Sequence, residues 1–343
     1  MRMRTAIPVV VLGLLTVAAP ARADKNDPAL WRLGRLNVNP DGTIPQGGVT
    51  VDAAAETQYR SFASELGVVL APRMLTPADT LGYSGFQFDF DMSFTTINGN
   101  LSDTSQPLSP FRNALERDDS TVPGMMTTVG VFARKGIWLP LPSFEIGAGA
   151  LHALESNLYA LQAYAKVAVH EGFHRWPLPS VAVRGAASRL MGSSQIDLTV
   201  ASFDISVSKS FGIGGTLNLQ PYVGYNYLWI VPRSEVLDRD PSCDAYVTAS
   251  VPTTTCPNPN GGAEIAPGAT ELNANYVFRN QDTITRHRVF FGLKLRFHII
   301  ALVADYAYIL AGDSSDPNGP GNATIVDQAV GQHQVSIALA LDF

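Results

Sequence analysis

The stretch Phe86-Gln-Phe-Asp-Phe-Asp-Met-Ser-Phe94 alternates without a break. Phe86, Phe88, Phe90, Met92 and Phe94 fall on one face, and Gln87, Asp89, Asp91 and Ser93 on the other. A period of two is that of a β-strand, in which successive side chains point to opposite faces. Aromatic groups on one side and carboxylates on the other place this strand between an apolar and a polar environment. The same alternation runs through Leu158–His170, where Tyr159, Leu161, Ala163, Ala165, Val167 and Val169 oppose Gln162, Tyr164, Lys166 and His170. It returns from Thr216 to Trp229, from Arg286 to Phe297, and from Val335 to Phe343, where Val335, Ile337, Leu339, Leu341 and Phe343 form the apolar set. Weaker alternation covers Thr127–Ile137, Phe144–Leu154, Val181–Leu190, Gln195–Ser208 and Ile299–Leu310.

The pattern predicts an all-β chain: a transmembrane antiparallel barrel of about 10 strands (range 8–12) over residues 83–343, preceded by a short helical and irregular segment. In the strand from Gln195 the apolar phase changes after Val200, which predicts a β-bulge near Ala201. Pro221 interrupts the seventh strand, where a paired residue needs its N–H. Connections after strands 2, 4, 6 and 8 are short, and those after strands 1, 7 and 9 are long. Short turns at one end and long loops at the other are the pattern of an outer-membrane barrel, with turns in the periplasm. An even strand number then puts the N- and C-termini on the periplasmic side. Phe94, Tyr159, Tyr227 and Trp229 would band the outer rim, and Phe86, Trp138, Trp176, Phe297 and Phe343 the inner one.

Composition agrees. The chain has 343 residues, of which 46% are hydrophobic and only 16% charged, with a net charge of -6. Disorder is excluded by the apolar content, and the acidic balance argues against a nucleic-acid partner. Met1–Ala23 has Arg2 and Arg4, an apolar run and Ala21-Arg-Ala23, the layout of a cleaved secretory signal. Beyond Ala23 no apolar run is long enough for a membrane helix.

The signal together with the ending Val335-Ser-Ile-Ala-Leu-Ala-Leu-Asp-Phe343 resembles bacterial outer-membrane β-barrel proteins. In that class a last amphipathic strand closing on an aromatic residue is what the barrel-assembly machinery reads. The resemblance covers Gly82–Phe343 and implies an outer-membrane, multi-pass protein in contact with lipid. A soluble secreted sandwich would also alternate, but it needs neither Phe343 nor aromatic bands at both strand ends.

Residues 24–82 do not alternate. Val51–Leu66 reads as a helix with Ala55, Tyr59, Phe62 and Leu66 on one face, and it could plug the lumen or cap the periplasmic rim. A plug ahead of a barrel is faintly similar to the long-chain fatty acid transporters, which have more strands.

The inward polar face collects Asp89, Asp91, Lys166, Arg184, Arg286, Arg288, Lys294, Arg296 and Asp305. As a selectivity lining these would give strand 8 a basic wall that favours anionic solutes. A lumen as narrow as ten strands allow could equally be filled by side chains paired across it. Cys243 and Cys256 lie in the longest loop, and in an exported protein they should form a disulfide worth about 3 kcal/mol.

His152, Ser156, His287 and His333 fall at the outer rim, but four positions across a turn do not place Ser156 within reach of His152. No catalytic set is expected, nor a metal or cofactor. The leading expectation is a narrow passive channel. Its alternative is a closed structural barrel that anchors an envelope complex through its long loops and N-terminal segment. A rim lipid hydrolase is the remote third.

Overall fold

In the computed structural model, the described residues are 24–36, 49–98, 111, 114–115, 124–138, 143–171, 178–214, 216–238 and 275–343. The signal segment, Trp176, Cys243 and Cys256 lie outside them.

Ten strands form one closed antiparallel sheet. They are β1 Phe86–Thr96, β2 Met125–Ile137, β3 Phe144–Ala153, β4 Tyr159–His170, β5 Ser180–Met191, β6 Ile196–Ser208, β7 Leu217–Ser234, β8 Ile284–Phe297, β9 Ile300–Ile309 and β10 Gln332–Asp342. Each pairs with its sequence neighbour. Closure comes from β10 lying against β1, in register from Gln334↔Thr95 to Asp342↔Gln87. Beyond the last ladder pair, Phe343 and Phe86 exchange main-chain hydrogen bonds of 2.7 and 3.0 Å. The expected assembly residues Val335, Ile337, Leu339 and Leu341 all point outward, as does Phe343.

Alternation sorts the two faces as the sequence predicts. Phe88, Phe90, Leu161, Ile205, Phe291, Leu302 and Leu339 are exposed on the outer surface, while Asp89, Asp91, Lys166 and Asp305 are buried inside. So much contiguous exposed apolar surface is unfavourable in water and favourable in lipid. No helix among the described residues is long and apolar enough to cross a membrane.

Two sequence expectations need correction. The register of β6 is continuous against both β5 and β7, with no bulge at Ala201. Instead Ile196, Leu198 and Val200 stay on the inward phase with Ser202, Asp204, Ser206 and Ser208. The change of polarity marks two zones of this part of the wall, apolar towards the long-loop end, where Leu190 of β5 and Leu228 and Ile230 of β7 are also buried, and polar below it. A real register shift occurs in β4, between Ala168 and His170. Pro221 costs no ladder bond to β6, because the pairing of β7 with β6 begins one residue later, at Tyr222↔Ser208.

The helix α1, Ala53–Val69, fills the apolar zone. The Asp52 side chain caps it by accepting from the Ala55 N–H at 2.8 Å, which satisfies one of its orphan donors. From Tyr59 onward it is buried on all sides rather than along one stripe. Tyr59 stacks on Phe278 at 4.4 Å between ring centroids, Gly67 abuts Ile230 of β7, and Arg60, Ser64 and Glu65, off the apolar stripe, are equally inaccessible.

The residues before α1 lie at the long-loop end. The Asn26 N–H donates to the Glu155 carbonyl at 3.1 Å, and the Leu30 N–H to Gln195 Oε1 at 2.6 Å. Phe343 sits at the short-turn end. The start of β1 meets Phe343 there, as an even strand number requires, whereas residues 24–36 lie at the opposite mouth and not beside Phe343 as expected. From residues 24–36 at one mouth, the chain reaches the lumen, descends through it over residues 70–82, and enters β1 from the other mouth.

Candidate functional site: the threaded lumen

Pro72 and Pro77 hold residues 71–80 out of helix and strand, since neither can continue a helical or ladder hydrogen-bond pattern. Their main-chain groups still need partners, because an unpaired buried carbonyl or N–H is costly. The wall supplies them. Ser188 Oγ donates to the Leu70 carbonyl at 2.7 Å, and Gln162 Nε2 to those of Leu70 and Ala71, both at 3.1 Å. Arg288 donates to the Pro72 carbonyl at 3.0 Å, Arg184 to that of Arg73 at 2.7 Å, and Arg134 to that of Leu75 at 2.8 Å. Lys166 Nζ serves the carbonyls of Pro77 and Asp79 at 3.1 and 2.9 Å. In return, the N–H groups of Arg73, Ala78, Thr80 and Leu81 donate to Gln162, Ser208, Glu171 and Glu145.

The strand register explains why these groups converge. Glu145, Lys166, Arg184, Asp204, Asn226 and Arg288 are directly opposed in sequence from β3 to β8. They form a continuous belt across six of the ten strands. Along it Glu145 pairs with Lys166 at 3.1 Å and Arg184 with Asp204 at 2.8 Å; elsewhere Arg134 pairs with Asp89 at 3.0 Å and Lys294 with Asp342 at 2.9 Å. The belt carries more cations than carboxylates, and the carbonyl dipoles of the threaded segment make up the difference. One ion pair joins segment to wall among the described residues: Arg73 Nε lies 3.3 Å from Asp91 Oδ1, both inaccessible to solvent. Arg73 also reaches Thr128.

Of the nine lumen residues expected from sequence, Asp89, Asp91, Lys166, Arg184, Arg286, Arg288, Lys294 and Asp305 are buried and inward. Arg296 is not. It stands at the short-turn rim, half exposed and 3.9 Å from Asp342, where the strand has run past the lumen. The basic wall of β8 faces the chain's own groups. Arg286 donates to the carbonyls of Leu310 and Val330 and to Ser64 Oγ, and Arg288 to Pro72 and Gln334. Asp305 is opposite Ser336. Arg134, Glu145, Asp204 and Arg73 are the site residues that sequence reasoning missed.

Space for the segment comes from four glycines, each opposed across the ladder by an aromatic ring: Gly147 by Tyr164, Gly149 by Phe132, Gly224 by Phe290 and Gly292 by Tyr222. A Cβ on any of them would stand 2.2 to 2.4 Å from a ring atom. The rings therefore lie flat on the wall. Below the segment, a cavity of about 420 Å³ opens at the short-turn end, lined in part by Thr80, Leu81, Lys209, Lys294, Arg296 and Asp342.

The mouth above is polar and enclosed. Glu65 accepts from the N–H groups of Asn98 and Val330, just beyond the ends of β1 and β10, and burial pushes its carboxyl up to about 7. Burial likewise raises Asp327, which accepts from Ser64 at 2.7 Å. At the rim, His152 and Ser156 are not brought together: His152 Nδ1 meets the Leu158 carbonyl and Ser156 Oγ donates to that of Ala153. His287 and His333 contact Tyr225 and Tyr306.

No family model matches the chain, and none of the curated proteins does. Among solved structures it is similar to bacterial outer-membrane β-barrel proteins. Neisserial surface protein A is 11% identical, over 75% of this chain and 97% of that one, with a TM-score of 0.28. OprG from Pseudomonas aeruginosa is 10% identical over 78% and 99%, with a TM-score of 0.30. The transport unit of the autotransporter AIDA-I from Escherichia coli is 9% identical over 83% and 99%, with a TM-score of 0.32. The strand register of this chain itself defines its barrel.

Proposed function

We propose that this protein is an outer-membrane barrel closed by its own chain, a membrane anchor that presents its loops and N-terminal residues at the long-loop end. The observation that carries this is the bore: residues 70–82 run along it from α1 to β1, with their main-chain groups bonded to the wall. A passive channel needs a water-filled path, and here the charges expected to line one hold a polypeptide. The outward apolar belt and the short turns at one end support an outer-membrane location with those turns in the periplasm. The long loops are then external, where an envelope partner could dock.

The channel reading retains one supporting feature. The pairs Asp89–Arg134, Glu145–Lys166 and Arg184–Asp204 link adjacent strands without help from the segment, so an emptied lumen would stay polar. Planar-bilayer recording of the full chain decides between the two. A folded barrel, shown by heat-modifiable migration, that gives no discrete current steps supports closure. Discrete steps from the full chain would overturn it.

A further inference from the structure

Two observations point the same way. The first is polarity. Residues 24–36 and α1 lie at the long-loop mouth, bonded to Glu155, Leu154 and Gln195, whereas β1 starts from the short-turn mouth, where Phe86 meets Phe343. Residues 70–82 must join them and have no route but the bore. The second is the kind of contact made there. The wall bonds the carbonyls of Leu70, Ala71, Pro72, Arg73, Leu75, Pro77 and Asp79 and the N–H groups of Arg73, Ala78, Thr80 and Leu81. Every residue type other than proline carries both groups. Polar contacts to segment side chains are fewer: Arg73 with Asp91 and Thr128, Thr76 with Lys166, Asp79 with Gln220, and Thr80 with Glu171; Leu70, Ala71, Met74, Leu75 and Ala78 add apolar burial without a directional contact.

We propose that the lumen is a track for an extended polypeptide that it holds by the main chain, and that its resident cargo is this chain's own N-terminal segment, which crosses the membrane inside the barrel and places residues 24–36 on the external face. The inference rests on the outer-membrane reading above, but not on whether the barrel conducts. Conduction with external residues 24–36 would refute closure alone.

The test uses the full chain, expressed in cells with Cys243 and Cys256 replaced by Ser, and a membrane-impermeant maleimide. Three single-cysteine variants report position: Lys25→Cys on the N-terminal residues, Thr324→Cys on the long-loop side and Gly212→Cys on the short-turn side, all at exposed positions. On intact cells, Lys25→Cys and Thr324→Cys should label alike, and Gly212→Cys only after permeabilisation. Thr324→Cys labelled with Lys25→Cys protected would overturn the proposal, as would Gly212→Cys labelled on intact cells. Adding Thr76→Ala and Asp79→Ala to the Lys25→Cys chain removes the side-chain bonds to Lys166 and Gln220 and leaves every carbonyl. Labelling of at least half the parent level is expected. A lower value, with heat-modifiable migration intact, would show that the segment is held by its side chains and overturn main-chain recognition.

Discussion

Replacing Arg73 by Met measures whether the bore is dry. Arg73 and Asp91 face each other at 3.3 Å with almost no solvent access, and Asp91 has no other cation within ion-pair distance among the described residues. If residues 70–82 seal the lumen, Arg73→Met leaves the carboxylate buried and uncompensated. Breaking one partner of such a pair costs about 3–5 kcal/mol. That shifts the folded-to-unfolded ratio by more than a hundredfold. If water reaches Asp91 instead, the pair behaves as a surface one, worth about 0–1 kcal/mol. Arg189 and Asp197 provide the internal standard: their 2.6 Å pair is largely solvent-exposed and should fall in that lower range. The assay is equilibrium urea unfolding in detergent micelles, followed by tryptophan fluorescence, on Arg73→Met, Asp91→Asn and the double variant. The expected result is a loss of several kcal/mol for Arg73→Met, most of it recovered in the double variant. A loss below about 1 kcal/mol, equal to that at Arg189–Asp197, would refute a dry, closed lumen.

Two further outcomes follow from the mouth and the wall. Because burial raises the folded-state carboxyl of Glu65 from 4.5 to about 7, the folded protein binds the proton more tightly than the unfolded chain. Stability therefore falls as pH rises from about 4.5 to 7, by at most about 3 kcal/mol, and Asp327, also raised, acts in the same direction. Urea midpoints measured from pH 5 to 8 should decline, with a shallower slope in Glu65→Gln; a slope unchanged by that substitution would remove Glu65 as the cause. Gly147→Ala would put a Cβ 2.2 Å from the Tyr164 ring, push the ring towards the segment and break its 2.6 Å bond to Glu145, for about 1–3 kcal/mol. Gly185→Ala, with open space around it, should change the same unfolding curve by less than about 0.5 kcal/mol, and equal effects at the two sites would sink the ring-on-glycine account.

The barrel was legible because alternation is a direct consequence of strand geometry, and a lipid-facing side makes it stark, as in Phe86–Phe94. The inward charges followed from the same phase. What they touch did not. Arg134 and Glu145 sit in strands whose inward positions include Gly130, Gly136, Gly147 and Gly149, so the apolar–polar contrast there is weak. The polarity switch in β6 looked like a bulge because a period-two pattern reports the medium beside each residue, and here the medium inside changes from a helix to a threaded chain. The side on which residues 24–36 lie has no local signal at all. It depends on a path through the centre of the fold, and Pro72 and Pro77 mark only where the helix must end. The pairing expected of Cys243 and Cys256 lies outside the described residues.

The threaded segment also changes which kinetics apply to this lumen. A bound ligand leaves at a rate set by its contacts, and dilution or a competitor shifts its occupancy by mass action. Residues 70–82 are held at both ends: below by the covalent link to β1, above by a 17-residue helix that spans about 25 Å and is about 10–12 Å wide with its side chains. Emptying the bore requires that helix to unwind and follow the segment towards the short-turn end. The residence time of the plug is then the unfolding lifetime of α1, independent of concentration, and any agent that opens the barrel must act by unfolding rather than by competition.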